Sequence, residues 1–228
     1  MSIVAIVASA GKGKRLKGRV KKPFLVLGAK PVLARTLSAL ESSRFVDEVI
    51  LLVDKNDLKR AEALVKKFRL KKVKHIMQGG SKRSDSVSNG LKAVGGADII
   101  LVHDGARPFL SQSLIKRCIQ AARRHGASCA CVPVTSTVKK VARNGIIHST
   151  PERSQYYFAQ TPQVFKASLL KKAYENYKRN KTAATDDSSL VERLGIKVKM
   201  VLGDYRNIKI TTPEDLAVAK AILKSSQG

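Results

Sequence analysis

The 228-residue chain reads as an α/β protein with a mostly parallel sheet flanked by helices. Three observations carry that reading. Short apolar runs such as Ile3-Val4-Ala5-Ile6-Val7-Ala8 are continuous rather than alternating, which suits strands buried on both faces. These runs alternate with amphipathic stretches of helical length, the βαβα order that builds a parallel sheet. A composition of 43% apolar and 27% charged residues is that of an ordinary globular protein, and the chain is long enough to bury a core without disulfides. The length predicts one domain or one and a half; the chain is read as a single domain over 1–228, and a break in the pattern marks a β-arm at about 135–160.

Strands are predicted at 3–8, 48–54, 73–77, 98–103, 128–134 and 197–202, and helices at about 31–42, 57–69, 83–94, 111–125, 166–179, 186–194 and 213–224. The last helix has the clearest start: Thr212 at the N-cap, Pro213 at the first helical position, Glu214 and Asp215 in the first turn. Between the fifth strand and Tyr156 the pattern breaks. Val138-Lys139-Lys140-Val141 and Ile146-Ile147 flank Asn144-Gly145, a strong hairpin turn signal. An isolated hairpin is marginal in water, so the arm is expected to pack on a second subunit.

Lys plus Arg number 44 against 17 Asp plus Glu, a net charge of +27. Such an excess points to polyanionic partners (nucleic acid, an anionic membrane or phosphorylated metabolites) or to a host whose proteins are generally basic. Trp is absent and aromatics are only 5%, which disfavours a base-stacking single-strand binder. Many of the cations are scattered over helix faces, as in Leu58-Lys59-Arg60 and Val65-Lys66-Lys67, rather than gathered in one motif, so no specific nucleic acid is expected. Cys118, Cys129 and Cys131 have neither disulfide-framework nor zinc spacing and read as a reduced, cytosolic set. The first apolar run is too short to span a membrane and lacks a basic leader, so neither a signal peptide nor a membrane span is expected.

Three segments carry chemistry. Ser9-Ala10-Gly11-Lys12-Gly13-Lys14-Arg15 is a basic, glycine-rich turn after a buried strand, where backbone N–H groups and cations can cradle phosphates. It is neither GxGxxG, since position 16 is Leu16, nor a Walker loop. Gly79-Gly80-Ser81-Lys82-Arg83-Ser84-Asp85-Ser86-Val87 follows a strand and opens a helix. His103-Asp104-Gly105-Ala106-Arg107-Pro108 ends a central strand at the edge where open α/β sheets bind ligands. There Asp104 suits a hard cation such as Mg²⁺, Arg107 suits a phosphate, and His103 reads as a turn or core residue rather than a base. Taken singly, each segment has a plainer reading: a basic surface turn, a capped helix start, an Asp–Arg pair fixing a turn.

Further on lie Arg153, Thr161-Pro162-Gln163, Thr185-Asp186-Asp187 and Asn207-Ile208-Lys209. With Lys21-Lys22-Pro23-Phe24 and the three segments above, this ordered set resembles the 2-C-methyl-D-erythritol 4-phosphate cytidylyltransferase family from Ala8 to the closing helix. The resemblance implies a Rossmann-like nucleotidyltransferase fold, a homodimer through exchanged β-arms, Mg²⁺ or another divalent cation, and transfer of a cytidylyl group from CTP to methylerythritol phosphate in non-mevalonate isoprenoid biosynthesis. By position, Arg15 and Lys22 resemble the pair that stabilises charge on the transferred phosphate. Arg153 and Lys209 resemble the pair that orients the sugar phosphate, Arg153 from the partner's arm. Ala10, Gly11, Gly13, Gly80, Ser81 and Ser86 match nucleotide positions, Asp104 the metal-side acid, and Arg107, Thr137, Thr161 and Thr185 the substrate side. Lys-Lys-Pro-Phe stands where some members have Pro-Lys-Gln-Tyr, so alignment favours Lys22 over Lys21; Ser81 stands where some have Asp. Rival readings are a ribitol-5-phosphate cytidylyltransferase of the same architecture and a basic nucleic-acid-binding protein.

Overall fold

The structure is a computed structural model that describes residues 1–11, 21–180 and 184–225. In chain order its elements are β1 (Ile3–Ser9), β2 (Val26–Leu27), β3 (Lys30–Pro31), α1 (Val32–Glu41), β4 (Glu48–Val53), α2 (Leu58–Lys67), β5 (Val73–Gln78), α3 (Arg83–Leu91), β6 (Ile99–Asp104), α4 (Gln112–His125), β7 (Ala127–Pro133), β8 (Lys140–Val141), β9 (Ile147–Ser149), β10 (Tyr157–Lys166), α5 (Ala167–Asn180), α6 (Asp187–Glu192), β11 (Lys199–Leu202) and α7 (Pro213–Ser225). A seven-stranded sheet runs β11-β7-β10-β6-β1-β4-β5. β1 pairs parallel with β4 and β6, β4 with β5, and β7 with β11.

Both faces of the sheet are covered. Ile3, Ala5 and Val7 of β1 pack with Leu33, Leu37 and Leu40 of α1, Leu64 of α2 and Ile115 of α4. The alternating Val4 and Ile6 pack with Val87 and Leu91 of α3, Leu170 and Tyr174 of α5, and Leu190 of α6. This division follows from the period-two side-chain alternation of a strand, and it explains why the runs contain no polar breaks.

Every predicted helix and strand is present within a few residues. The two-residue β2 and β3 and one strand of the main sheet escaped the sequence reading; the latter is β10, which lies antiparallel between β6 and β7. Its sequence, Tyr-Phe-Ala-Gln-Thr-Pro-Gln-Val-Phe-Lys, holds a proline and three polar residues that argue against an interior strand. A register shift between Ala159 and Gln163 takes Pro162 out of the ladder, and the polar residues are buried against partners rather than solvent.

The Asn144-Gly145 hairpin forms as expected. β8 and β9 pair antiparallel around Gly145, whose φ of +85° is the left-handed conformation glycine adopts without strain. Val141, Ile146, Ile147, Tyr156, Tyr157 and Phe158 are all exposed along this arm and its return. Arg153 ties the base together by donating to the Thr135 carbonyl at 2.9 Å.

Candidate active site

The carboxyl ends of β1 and β6 border a cleft of about 520 Å³. β4 and β5 lie on one side of β1 and β6 on the other, so the chain reverses its winding between β1 and β6, the switch point where open α/β sheets bind ligands. Ala8, Ser9, Ala10 and Gly11 supply one wall, Gly80 to Arg83 and Ser86 another, and Asp104, Ala106, Lys22 and Lys209 to Thr211 the rest.

The loops after β1 and β5 close on each other because Gly79 lacks a side chain. A Cβ there would collide with the Ala10 Cβ and stand 2.8 Å from the Ser86 hydroxyl. The Gly80 amide donates to Ser86 Oγ at 3.0 Å, Ser86 Oγ donates to the Lys82 carbonyl at 3.0 Å, and Ser81 Oγ donates to Asp85 at 2.8 Å. These bonds fix the turn that leads into α3.

Asp104 is the centre of charge. It is almost fully buried, and three cations meet it: Arg83 Nε at 2.8 Å, Lys209 Nζ at 2.8 Å and Arg107 Nε at 3.6 Å. Burial would raise its pKa, but Arg83, Lys209 and Arg107 outweigh burial and hold the carboxyl well below the usual range. Asp104 is therefore an anion at any physiological pH.

His103 is fully buried beside it. Its Nε2 lies 3.2 Å from the Arg107 carbonyl, which can only accept, so Nε2 carries the proton. Nδ1 then accepts the Thr161 hydroxyl at 3.0 Å, and Thr161 Oγ1 in turn accepts the Asp104 amide at 3.1 Å. Burial pulls the His103 pKa down to about 4. Neutral and enclosed, it braces the strand end and performs no base chemistry.

Lys22 Nζ lies 2.7 Å from the Thr211 carbonyl at the cleft wall. Lys21 instead pairs with Asp57 at 2.8 Å and Asp54 at 3.4 Å and does not line the cleft.

The family model for 2-C-methyl-D-erythritol 4-phosphate cytidylyltransferase matches residues 3–225. The chain belongs to this cytidylyltransferase family. It is 44% identical over 226 residues to the enzyme of that name from Geobacillus kaustophilus, covering 99% of this chain and 98% of that one. It is 42% identical to the namesake from Geobacter metallireducens, covering 98% of each. Among solved structures, 4-diphosphocytidyl-2C-methyl-D-erythritol synthase from Anaerococcus prevotii is similar with a TM-score of 0.88 at 34% identity, over 98% of this chain and 96% of that one. The cytidylyltransferase from Thermus thermophilus is similar with a TM-score of 0.82 at 30% identity, over 98% and 100%.

Of the residues matched to cytidylyltransferase motifs, Ala10, Gly11, Lys22, Gly80, Ser81, Ser86, Asp104 and Lys209 come together around the cleft. Arg15 and Gly13 lie outside the described residues. Arg107, matched to the substrate side, is buried, with Nη1 on the Asn207 carbonyl at 2.7 Å, and is not among the residues that line the cleft. Its pKa is lowered by burial, partly offset by Asp104. Thr161 is likewise turned inward, and reaches the site through the Asp104 amide. Thr137, Thr185 and Arg153 are exposed and line no part of this chain's cleft.

Sequence reasoning missed two further contributors. Arg83 links Asp104 to Asp187, the latter at 2.7 Å. Asn207, fully buried, donates to the Thr161 carbonyl at 2.8 Å and Gln160 Oε1 at 3.1 Å, setting the loop that carries Lys209. The one available signal for Arg83 was a basic residue at a helix start, where the helix dipole disfavours it.

No group of three His, Cys, Asp or Glu side chains suited to a metal exists among the described residues. Mg²⁺ commonly takes one or two carboxylates together with substrate phosphates. The single ionised Asp104 fits a divalent cation of that kind, brought in with a polyphosphate, and not a resident metal held by protein alone.

Proposed function

We propose that the chain transfers a cytidylyl group from CTP to 2-C-methyl-D-erythritol 4-phosphate, giving CDP-methylerythritol and pyrophosphate. The observation that carries this reading is the convergence of Gly80, Ser86, Lys22, Asp104 and Lys209 on one cleft in a chain of this family. The attacking atom is an oxygen of a phosphate monoester, whose second pKa near ~6 leaves it anionic at neutral pH. No general base is needed, which agrees with a neutral, enclosed His103. The obstacle is electrostatic: an anion must approach the α-phosphorus of a polyanion.

Lys22 and Arg15 neutralise the transferred phosphate, and Lys209 of the same cleft holds the sugar phosphate. Asp104 would hold a Mg²⁺, which would supply charge neutralisation on the phosphate oxygens. The glycine turns at 79–80 and the Ser86 hydroxyl seat the cytidine, while Thr161 and Arg107 brace Asp104 from behind. Catalysis is thus positioning plus fixed charge, with pyrophosphate leaving in line.

The chain acts as one domain in a homodimer whose exposed arm supplies Arg153, and with it Thr137, to the partner's cleft; Thr185 completes the substrate side. The apolar side chains exposed along the arm support this reading, since a lone hairpin gains nothing by exposing them. A cytoplasmic location fits three free thiols, and no helix among the described residues is long and apolar enough to cross a membrane. Excess positive charge draws anionic substrates inward; no specific nucleic acid is required.

Pyrophosphate release from CTP, measured with methylerythritol phosphate and separately with ribitol 5-phosphate, with and without EDTA, tests the reading. Release with methylerythritol phosphate that EDTA abolishes is expected. Release only with ribitol phosphate, or none with either, overturns it.

A further inference from the structure

Arg83 stands at the first position of α3, where the helix dipole opposes a cation, and its side chain is three-quarters buried. Neither location favours an arginine for its own sake. Its guanidinium is spent on two carboxylates from different elements: Nε meets Asp104 Oδ1 at 2.8 Å, at the end of β6, and Nη1 meets Asp187 Oδ2 at 2.7 Å, at the start of α6. Nη2 has no hydrogen-bond partner among the described residues, and the Nη1–Asp187 Oδ2 contact is an ion pair without hydrogen-bond geometry.

Asp187 is a fixed anchor. It has no solvent exposure, Tyr174 donates its hydroxyl to Oδ1 at 2.5 Å, and the amides of Asp187 and Ser188 both donate to Gln163 Oε1 at 3.0 Å. Gln163 in turn donates to Asp186, the N-cap of α6, at 2.7 Å. Asp104 has a different situation: its other oxygen faces Lys209, which is partly exposed and lines the cleft. Oδ1 is therefore held from inside the protein, while Oδ2 lies between buried Arg107 Nε at 3.6 Å and Lys209 Nζ at 2.8 Å, the partner on the cleft side.

We propose that Arg83 is a positioning residue for this site, holding the Asp104 carboxylate in a fixed orientation by bracing it against Asp187. The planar fork of arginine is required, because a lysine ammonium cannot hold two carboxylates in fixed directions. The role rests on the reaction proposed above, in which Asp104 is the metal-side acid.

Removing Arg83 alone strands Asp187 without a cation, so the informative variant is Arg83→Met/Asp187→Asn, with Asp187→Asn and Arg83→Lys beside it. Each is checked by thermal unfolding, then assayed for pyrophosphate release across a Mg²⁺ series and, without methylerythritol phosphate, for Mg²⁺-dependent CTP binding by calorimetry. Losing such a supporting contact typically costs about 10–100-fold in metal affinity or activity. The expected result is a kcat loss in that range for the double variant, a rise of similar size in the Mg²⁺ concentration for half-maximal rate, and little change in the KM for methylerythritol phosphate. Asp187→Asn follows the same direction by a smaller factor, and Arg83→Lys recovers only part. A folded variant whose Mg²⁺ curve and kcat overlay the wild type overturns the role, even if its melting temperature falls. If the double variant does not fold, Asp187→Asn and Arg83→Lys are judged by the same two readouts. If the wild type itself does not turn over, the proposed reaction falls, and the Mg²⁺ dependence of CTP binding alone then decides for or against Arg83.

Discussion

Lys21 and Lys22 are adjacent in the chain but serve different regions: Lys21 Nζ sits 2.8 Å from Asp57, while Lys22 Nζ reaches the Thr211 carbonyl at the cleft. The 3₁₀ turn that Pro23 and Phe24 bury beside them separates the two side chains. Lys22→Ala is expected to lower kcat about 10²–10³-fold, the loss typical of a preorganised charge-stabilising donor, with a much smaller effect on KM. Lys21→Ala removes a partly exposed ion pair and should leave turnover near wild type, with a stability change within about 1 kcal/mol. Steady-state kinetics on the two variants checks both statements.

Arg153 and the cleft can be tested for cooperation between chains. In the homodimer proposed above, Arg153→Ala and Lys22→Ala proteins should each be impaired. Co-expression of the two, with purification of the heterodimer through separate tags, should restore one intact site per dimer and about half of wild-type activity if the arm reaches across. Verified heterodimers as inactive as their parents would show that Arg153 serves its own chain.

Stability should depend on pH through His103. Its folded pKa of about 4 lies below the ordinary 6.5, so the unfolded chain takes up the proton first as pH falls. The contribution is full above about 6.5 and is lost on descending toward pH 4, by about 3 kcal/mol. Urea unfolding of the wild type and of His103→Gln at pH 7.5, 6.0 and 4.5 checks this: the variant should start less stable and show a shallower decline over the same interval.

Gly79→Ala probes the contact between the loops after β1 and β5. The added methyl meets Ala10 and Ser86, so a loss of about 1–3 kcal/mol in unfolding free energy is expected, accompanied by weaker CTP binding. Ala10→Gly in the same background should return part of the stability.

Much of this molecule is written locally. Continuous apolar runs specify strands buried on two faces, and Thr212-Pro213 specifies the start of α7, where Thr212 Oγ1 accepts the Asp215 amide at 3.3 Å. Asn144-Gly145 specifies the hairpin. Such features were legible because each depends on a few neighbouring residues. The cleft residues were legible for another reason: they stand at strand ends and glycine turns, which the order of elements alone brings to one edge of the sheet.

The rest depended on distant partners. β10 was unreadable because its central polar residues are satisfied by Asn207, His103 and the start of α6, none of which is near it in sequence. Arg107 reads as a phosphate clamp or as the partner of Asp104 in a turn, and its bond to the carbonyl of Asn207, one hundred positions later, has no local signal. Arg83 reads as one more cation among 44 until folding sets it between two carboxylates. A charge has no fixed role in a linear chain, because its energy is set by burial and by what lies within a few ångströms, and both are settled only when β6, α3 and α6 pack together.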